Sequence, residues 1–233
     1  MKLRSIALAG LLGSGLLMTT GCGTDDIVDL VNDLVKANVI HVANANSGVN
    51  FTVDGVDEVV SQDSSQMFVV NGKDSYTVSN GVNNSPADFP KDSAHLYALC
   101  ENGGVITDTA TGDVRQIDVI NLSGTAIDAG AGETLEVSVF NGANLLATMQ
   151  LSGQTLDACT KEALPTTSFN LSDVTRVEVN GVGYDVPAYD SDVTAVLDEL
   201  NDVDFDIVVF DAATEKGTIV PLATAAELGK ASN

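Results

Sequence analysis

The chain has no tryptophan, little aromatic residue of any kind and a marked shortage of positive charge. Aromatic residues make up 5% of the 233 residues, and 10 Lys+Arg stand against 33 Asp+Glu, a formal net charge of −23. So few aromatic rings predict a core built mainly from aliphatic side chains. Because binding to a phosphate backbone needs a basic surface, the charge excludes nucleic acid as a partner.

Sequence motifs for several kinds of chemistry are also missing. The sequence has no G-x-S-x-G nucleophile elbow, no C-x-x-C pair and no glycine-rich phosphate loop. Its two histidines are His41 and His95, and we expect each to have a structural role rather than to act as a ligand or a base. The lack of tryptophan also disfavours a glycoside-hydrolase cleft, which usually has aromatic platforms. The sequence therefore predicts a protein that is not an enzyme.

The first 22 residues have the pattern of an export signal. Lys2 and Arg4 form a short basic start, and the apolar run Ile6–Met18 is too short to span a bilayer as a mature helix. Small residues then lead to Cys22. Basic start, apolar run and small residues are typical of a secretory signal peptide.

A cysteine directly after the small residues resembles the signal of bacterial lipoproteins, with the departure that Thr19 stands where leucine is usual. The resemblance implies cleavage before Cys22 and acylation of its thiol and its new amine. Several acyl chains, at about 0.8 kcal/mol per buried methylene, make a stable membrane anchor. By resemblance to enterobacterial sorting, Gly23 favours the outer membrane. The alternative is an ordinary signal peptide that is cut nearby, with Cys22 incidental.

Two cysteines remain beyond this segment, Cys100 and Cys159. An exported compartment permits a disulfide between them, which would close a loop of about 60 residues and stabilise the fold by roughly 4 kcal/mol. The alternative is a pair of buried free thiols.

Short alternating runs of Val, Ile and Leu, separated by turn dipeptides, predict an all-β fold. Asn71-Gly72 and Asn80-Gly81 have the composition of hairpin turns. The predicted hairpins are Val39–Val42 with Val49–Val53, Leu135–Phe140 with Asn144–Leu151, and Arg176–Val179 with Gly183–Val186. Asn83–Asp92 is predicted to be a loop, because Pro86 and Pro90 exclude a central strand.

The first of these segments resembles an immunoglobulin-like module of secreted bacterial proteins that is catalogued as a domain of unknown function. The residues that carry the resemblance are Val39, His41, Ala43, Val49, Phe51, Val53, Asp54 and Gly55. The turn between them lacks the usual proline. The resemblance implies an immunoglobulin-like β-sandwich in an exported protein, and it implies no activity.

A second opening of the same type, Val114–Gly124, suggests a weak internal repeat of two β-sandwich modules. We therefore predict an immunoglobulin-like β-sandwich protein of one or two modules, with short helices at about 25–36 and 190–201. The predicted division is a lipoprotein signal peptide at 1–22, a helical spacer at 23–37, a first module at 38–107, a second at 113–222 and a tail at 223–233.

Acidic residues offer one candidate metal site. Asp202, Asp204 and Asp206 alternate in strand phase, so their carboxylates would point to one side. Hard cations such as calcium bind clustered oxygens. The alternative is that these acids cover a solvent-facing surface of an acidic protein. Asp54–Glu58 is a second, weaker cluster.

These observations predict a lipid-anchored protein of the cell envelope with a non-catalytic binding or structural role. The lipid anchor makes the membrane one partner, and an envelope or extracellular protein or glycan would be the other. Two alternatives stay open, a calcium-responsive adhesion module and an envelope hydrolase. Calcium is the one candidate cofactor, bound by Asp202, Asp204 and Asp206.

Overall fold

A computed structural model of the chain describes residues 4–6, 37–71, 75–82, 86–90, 94–110, 116–165, 169, 173–185, 204–211 and 213–222. These residues form strands and turns, and none of them lies in an α-helix. The predicted all-β class is confirmed. The predicted helices at 25–36 and 190–201, together with Cys22 and Asp202, lie outside the described residues.

The strands of the first half are β1 (Arg4–Ile6), β2 (Ala37–Asn44), β3 (Phe51–Val53), β4 (Val56–Glu58), β5 (Ser64–Asn71), β6 (Ser75–Asn80), β7 (Ala87–Pro90), β8 (Ala94–Leu99) and β9 (Val105–Thr109). Those of the second half are β10 (Ile117–Asn121), β11 (Ile127–Asp128), β12 (Glu136–Asn141), β13 (Asn144–Gln150), β14 (Thr155–Leu156), β15 (Thr160–Leu164), β16 (Arg176–Val179), β17 (Val182–Asp185), β18 (Asp204–Asp211) and β19 (Lys216–Leu222).

The first half forms one β-sandwich. Its inner sheet has the order β1-β5-β2-β8-β9 and its outer sheet has the order β4-β3-β6-β7. Alternate residues of each strand face the space between the sheets, as the pleat requires. Phe51, Phe68 and Tyr97 are among the fully buried side chains there, and Phe51 and Tyr97 meet edge to face with their ring centroids 6.3 Å apart.

The second half forms another β-sandwich. Its inner sheet has the order β15-β10-β18-β19, its outer sheet has the order β13-β12-β16-β17, and β11 pairs with β14 in a small separate ladder. The core between the sheets is aliphatic apart from Tyr184, Phe205 and the partly buried Phe169. This composition agrees with the scarcity of aromatic residues in the sequence.

The two sandwiches have the same topology. In the first inner sheet β2 pairs in parallel with β8, and in the second inner sheet β10 pairs in parallel with β18. Each of these strands has an antiparallel neighbour on its other side, and both outer sheets are antiparallel throughout. Apart from β1 in the first half and the β11–β14 ladder in the second, the strand order thus repeats, in agreement with the internal repeat that the sequence suggests.

The two inner sheets pack against each other through their second faces. This sandwich interface is a third apolar cluster, with Ala43, Leu96 and Ala98 from the first half and Ile120, Val208 and Val220 from the second. Strands β8 and β10 are therefore buried along their whole length, and β18 is buried up to its last residue. Within the described residues the central strands of the two inner sheets are covered on both faces, whereas the edge strands β9, β15 and β19 keep exposed residues.

Three local predictions in the first half need correction. Val39–Val42 and Val49–Val53 do not form a hairpin, because β2 and β3 belong to different sheets. Asn71-Gly72 is not a hairpin turn either, since β5 and β6 also lie in different sheets. Residues Ala87–Pro90 are not a loop but the edge strand β7 of the outer sheet. An edge position accommodates Pro90 because no neighbour there needs its missing N–H.

The hairpins predicted in the second half are confirmed. Strand β12 turns at Gly142 into its partner β13, and β16 turns through Asn180 and Gly181 into β17. Asn180 and Gly181 both have positive φ, 52° and 76°. Positive φ at both central residues is the geometry that makes Asn-Gly the preferred pair in a two-residue hairpin turn.

Residues Arg4–Ile6, inside the predicted leader, pair antiparallel with Met67–Val69 at the edge of the first inner sheet. In a chain cut before Cys22 this strand would be absent and that edge of β5 would be open. No helix among the described residues combines the length and the apolar character that crossing a bilayer would need.

Candidate cation site between the two sandwiches

The structure places two of the three acids of the predicted metal site on one face of β18. Asp204 and Asp206 share this face with Val208 and Phe210, and it is turned to the sandwich interface. The strand-phase prediction is correct for these two residues. The alternative of a solvent-facing surface is wrong for both, because Asp204 is 7% exposed and Asp206 only 1%.

Asp206 is joined by two acids that the sequence did not single out. Asp118 lies beside it on β10, in the parallel register that pairs the two residues directly. Asp108 comes from β9 of the first sandwich. One carboxylate oxygen from each of Asp108, Asp118 and Asp206 lies within 4.8 Å of the other two. We call these three residues the acid cluster.

Within the part of the chain that the structure describes, the Lys161 ammonium touches the acid cluster. The Lys161 Nζ on β15 lies 2.6 Å from Asp108 Oδ1 and 3.2 Å from Asp118 Oδ2. The Nε2 of Gln116 donates to both oxygens of Asp118, at 3.0 and 3.1 Å. The backbone N–H of Thr109 donates to Asp108 Oδ1. Two of the three carboxylates are thus well supplied with partners.

Asp206 differs from its two neighbours. Its Oδ2 is buried and has no hydrogen-bond partner. Burial, and then the negative charges of Asp108 and Asp118, raise the pKa of the Asp206 carboxyl well above its usual range. Burial and the neighbouring Asp108 carboxyl also raise the pKa of Asp118. Both shifts show that the interface carries more negative charge than its buried surroundings favour.

Lys161 compensates part of this charge. Burial lowers the pKa of its ammonium, but the hydrogen bond and charge of Asp108 and the charge of Asp118 outweigh that effect and leave the pKa raised. The ammonium is therefore held in its charged form. With all three acids ionised, three negative charges would face this one positive charge.

Asp204 has a separate, structural role. Its Oδ1 accepts a hydrogen bond of 2.6 Å from the backbone N–H of Gln116, which ties the start of β10 to the start of β18. The predicted metal site is therefore divided. Asp206 belongs to the acid cluster, and Asp204 anchors the strand entering it.

The internal repeat shows which residues of the first sandwich stand at the positions of Asp118 and Asp206. Asn44 and Asn121 end β2 and β10, and each side chain is buried and hydrogen-bonds neighbouring loop backbone. Aligned on these residues, Asp118 corresponds to His41 in the first sandwich. By the same register Asp206 corresponds to Leu96. An alignment of the two halves would have marked Asp206 as a carboxylate at an apolar position.

Both histidines are buried. His95 Nε2 lies 3.0 Å from the carbonyl oxygen of Pro90, and Nδ1 lies 2.9 Å from the Thr109 hydroxyl. The carbonyl can only accept, so Nε2 carries a proton, and a neutral ring then accepts at Nδ1. Its ring stacks at 4.7 Å on Phe89. These contacts are those of a structural histidine.

His41 makes the fold sensitive to acid. Burial lowers its pKa from 6.5 to about 4. Protonation of His41 is therefore easier in the unfolded chain than in the folded protein. The folded protein loses stability as pH falls below the unfolded pKa of 6.5 towards the folded pKa of about 4. We expect the difference in unfolding free energy between wild type and His41→Leu to change by about 2 kcal/mol from pH 7 to pH 5. Urea titrations at the two pH values measure it, and a pH-independent difference would contradict it.

The predicted disulfide is present and joins the two sandwiches. Cys100, just after β8, is bonded to Cys159, just before β15, with Cα atoms 5.6 Å apart. A Cβ on Gly104 would lie 2.5 Å from the Cys159 sulfur, so only glycine leaves room for the bridge. Next to it, the backbone N–H of Glu101 donates to the Leu122 carbonyl across the interface.

The second acidic segment of the sequence, Asp54–Glu58, forms the turn and return strand of the β3–β4 hairpin. The Thr52 hydroxyl donates to Asp57 Oδ1 at 3.0 Å, and Asp57 is exposed. This segment is a hairpin of the outer sheet and does not join the acid cluster.

The chain was compared with known proteins. No protein-family model matches it, and no curated protein matches it.

Proposed function

We propose that this protein is a lipid-anchored component of a bacterial cell envelope, with a non-catalytic structural or binding role. The observation that carries the proposal is the Cys100–Cys159 disulfide between the two sandwiches. A disulfide of this kind persists in an oxidising, exported compartment. It therefore supports the interpretation of residues 1–22 as an export signal, with Cys22 as the acylated residue and the outer membrane as its location.

The link between the sandwiches supports a structural role. They share an apolar interface, the disulfide and two ion pairs, Lys161–Asp108 and Lys216–Asp63, with the latter at 2.5 Å. Relative movement of the two halves would strain the disulfide and would break the apolar contacts and the ion pairs together. Such a body transmits its orientation from one end to the other, which is useful in a protein that is tethered at its N-terminus.

The outer sheets offer the surfaces for a binding role. Within the described residues, β4 and β13 are edge strands at equivalent positions of the two outer sheets. Each carries an exposed apolar side chain, Val56 on β4 and Leu145 on β13. An exposed strand edge takes up an extended segment of a partner through main-chain hydrogen bonds. An envelope or extracellular protein is the partner that such edges fit.

The resemblance of residues 39–55 to an immunoglobulin-like module of secreted bacterial proteins supports the same proposal. The repeated topology is what two copies of one such module would produce. The buried positions of His41 and His95, with His95 engaged by Thr109 and Pro90, favour the non-catalytic role over the alternative of an envelope hydrolase.

The N-terminus of the purified native protein tests the proposal. We expect mass spectrometry of the intact protein and its N-terminal peptide to show a chain that begins at Cys22 and carries acyl chains. A Cys22→Ala variant should accumulate with its leader uncleaved and be lost from the membrane fraction. A native chain that keeps residues 1–21 and an unmodified Cys22 would contradict the lipid anchor.

A further inference from the structure

We propose that Asp108, Asp118 and Asp206 form a binding site for a hard divalent cation of the calcium class, and that Lys161 is the competing internal cation. The site draws ligands from both sandwiches, so the bound ion would bridge them. This inference does not depend on the lipid anchor, and its test is made on the folded protein in solution.

The spacing of the oxygens fits one central ion. Calcium binds oxygens at 2.3–2.6 Å, so two oxygens on opposite sides of the same ion are separated by about 5 Å. The three carboxylate oxygens of the acid cluster lie within 4.8 Å of one another. A single ion can therefore reach all three without a rearrangement of β9, β10 or β18.

The unpaired oxygen of Asp206 is the second observation. Asp206 is 1% exposed, and its Oδ2 lacks a hydrogen-bond partner. Buried carboxylate oxygens normally accept a hydrogen bond. A buried oxygen without a partner costs the full desolvation free energy of the group. Asp108 and Asp118 each place a carboxylate oxygen within 4.8 Å of an oxygen of Asp206. A cation among the three would satisfy the oxygen that the protein leaves open.

The charge of the site specifies the valence. Among the described residues, the three carboxylates and the Lys161 ammonium sum to two negative charges when all are ionised. A divalent cation brings this sum to zero, whereas a monovalent ion leaves one buried negative charge. The ligand set is oxygen only, which suits calcium, magnesium and manganese rather than the metals that prefer sulfur or imidazole.

Lys161 lies where it can yield to the ion. Its side chain is 34% exposed, while the side chains of Asp108 and Asp118 are 10% and 2% exposed. The four-carbon stem lets the ammonium rotate into water without moving β15. Without a bound metal, the Lys161 ammonium offsets part of the negative charge of Asp108 and Asp118.

Calorimetric titration with CaCl₂ at pH 8 tests the site, because a higher pH favours the ionised acids that bind the ion. The useful range is about 10 μM to 10 mM, which includes the affinities of extracellular calcium modules. We expect wild type to bind one ion and to melt at a higher temperature with calcium. Asp206→Asn should bind at least about tenfold more weakly, because it removes one ligand charge.

The lysine variants give the control. Lys161→Gln removes the competing ammonium and should bind calcium about tenfold more tightly. Lys216→Gln removes the other ammonium that links the two sandwiches, the partner of Asp63, and should bind like wild type. Far-UV circular dichroism in EDTA confirms that each variant is folded before titration.

Two results would overturn the proposal. One is the absence of heat and of any change in melting temperature for both wild type and Lys161→Gln over the whole calcium range. The other is equal binding by wild type and Asp206→Asn, which would assign the ion to the general acidic surface. Neither result bears on Cys22 acylation.

Discussion

Replacing Cys100 and Cys159 together by serine is expected to lower the free energy of unfolding by about 4 kcal/mol. The bond joins residues 59 apart in sequence, and the cost of closing a loop of that length in the unfolded chain gives this magnitude. The bridge also links the end of β8 to the turn before β15, so its loss acts on the sandwich interface.

The same variant should reduce the cooperativity of unfolding. With the disulfide intact, one sandwich cannot separate from the other after the apolar interface opens. Without it, each half keeps a core of its own and is held to its partner only by non-covalent contacts and the connecting chain. We expect two resolved transitions in urea where the oxidised wild type shows one, because the interface, which contains the buried acid cluster, yields before either core.

Urea denaturation followed by circular dichroism measures both effects. Wild type treated with a reductant is the matched control and should lose the same stability as the double variant. Each single variant should lose nearly as much as the double, since either substitution removes the bond completely. Two results would show that the bridge does not restrain the unfolded chain. One is that the losses in unfolding free energy of the two single variants add up to the loss of the double variant. The other is a loss below about 1 kcal/mol for the double variant.

Sequence reasoning predicted the features of this fold that depend on nearby residues. Alternation and Asn-Gly composition indicated the hairpins β12–β13 and β16–β17, where strand, turn and return strand are contiguous. The segments at β2 and β3 have similar local chemistry, yet β2 pairs with β5 and β8. A turn sequence indicates that the chain reverses. It does not determine whether the next strand joins the same sheet or the facing one.

The acid cluster was only partly predictable, for a related reason. Alternation placed Asp204 and Asp206 on one face of a strand but could not identify what covers that face. In a chain with 33 acids, a solvent-facing position was the reasonable expectation. Burial comes from the packing of two sheets from different halves, and Asp108 reaches the cluster from the first sandwich. The residue spacing around Asp108 and around Asp206 carries no information about the contact between the two.

Asp206→Leu is expected to raise the free energy of unfolding by about 3 kcal/mol at pH 8 in EDTA, although it removes a charged residue from the interior. Leucine is the residue at the equivalent position of the first sandwich, Leu96. The variant removes the unpaired Oδ2 and leaves Asp108 and Asp118 to share the Lys161 ammonium. Apolar replacement of a poorly compensated buried charge is commonly stabilising.

The gain should depend on pH in a definite direction. Because burial raises the pKa of Asp206 in the folded state, the wild type is favoured while this carboxyl is protonated and loses stability as pH rises through its folded pKa. The slope is up to about 1.4 kcal/mol per pH unit. The advantage of the leucine variant should therefore shrink from pH 8 to pH 5. His41 titrates in both proteins, and the difference between them reports Asp206 together with its electrostatic effect on Asp118.

Asp204→Leu is the matched control, on the same strand and the same face. It removes the acceptor of the Gln116 N–H, so it should destabilise the protein by about 1–3 kcal/mol at every pH. Urea titrations of the three proteins at pH 5 and pH 8 make the comparison. Calcium should reverse the order of Asp206→Leu and wild type, because only the wild type gains from a bound ion. A leucine variant less stable than wild type in EDTA at pH 8 would mean that Asp206 has a stabilising partner in the metal-free protein.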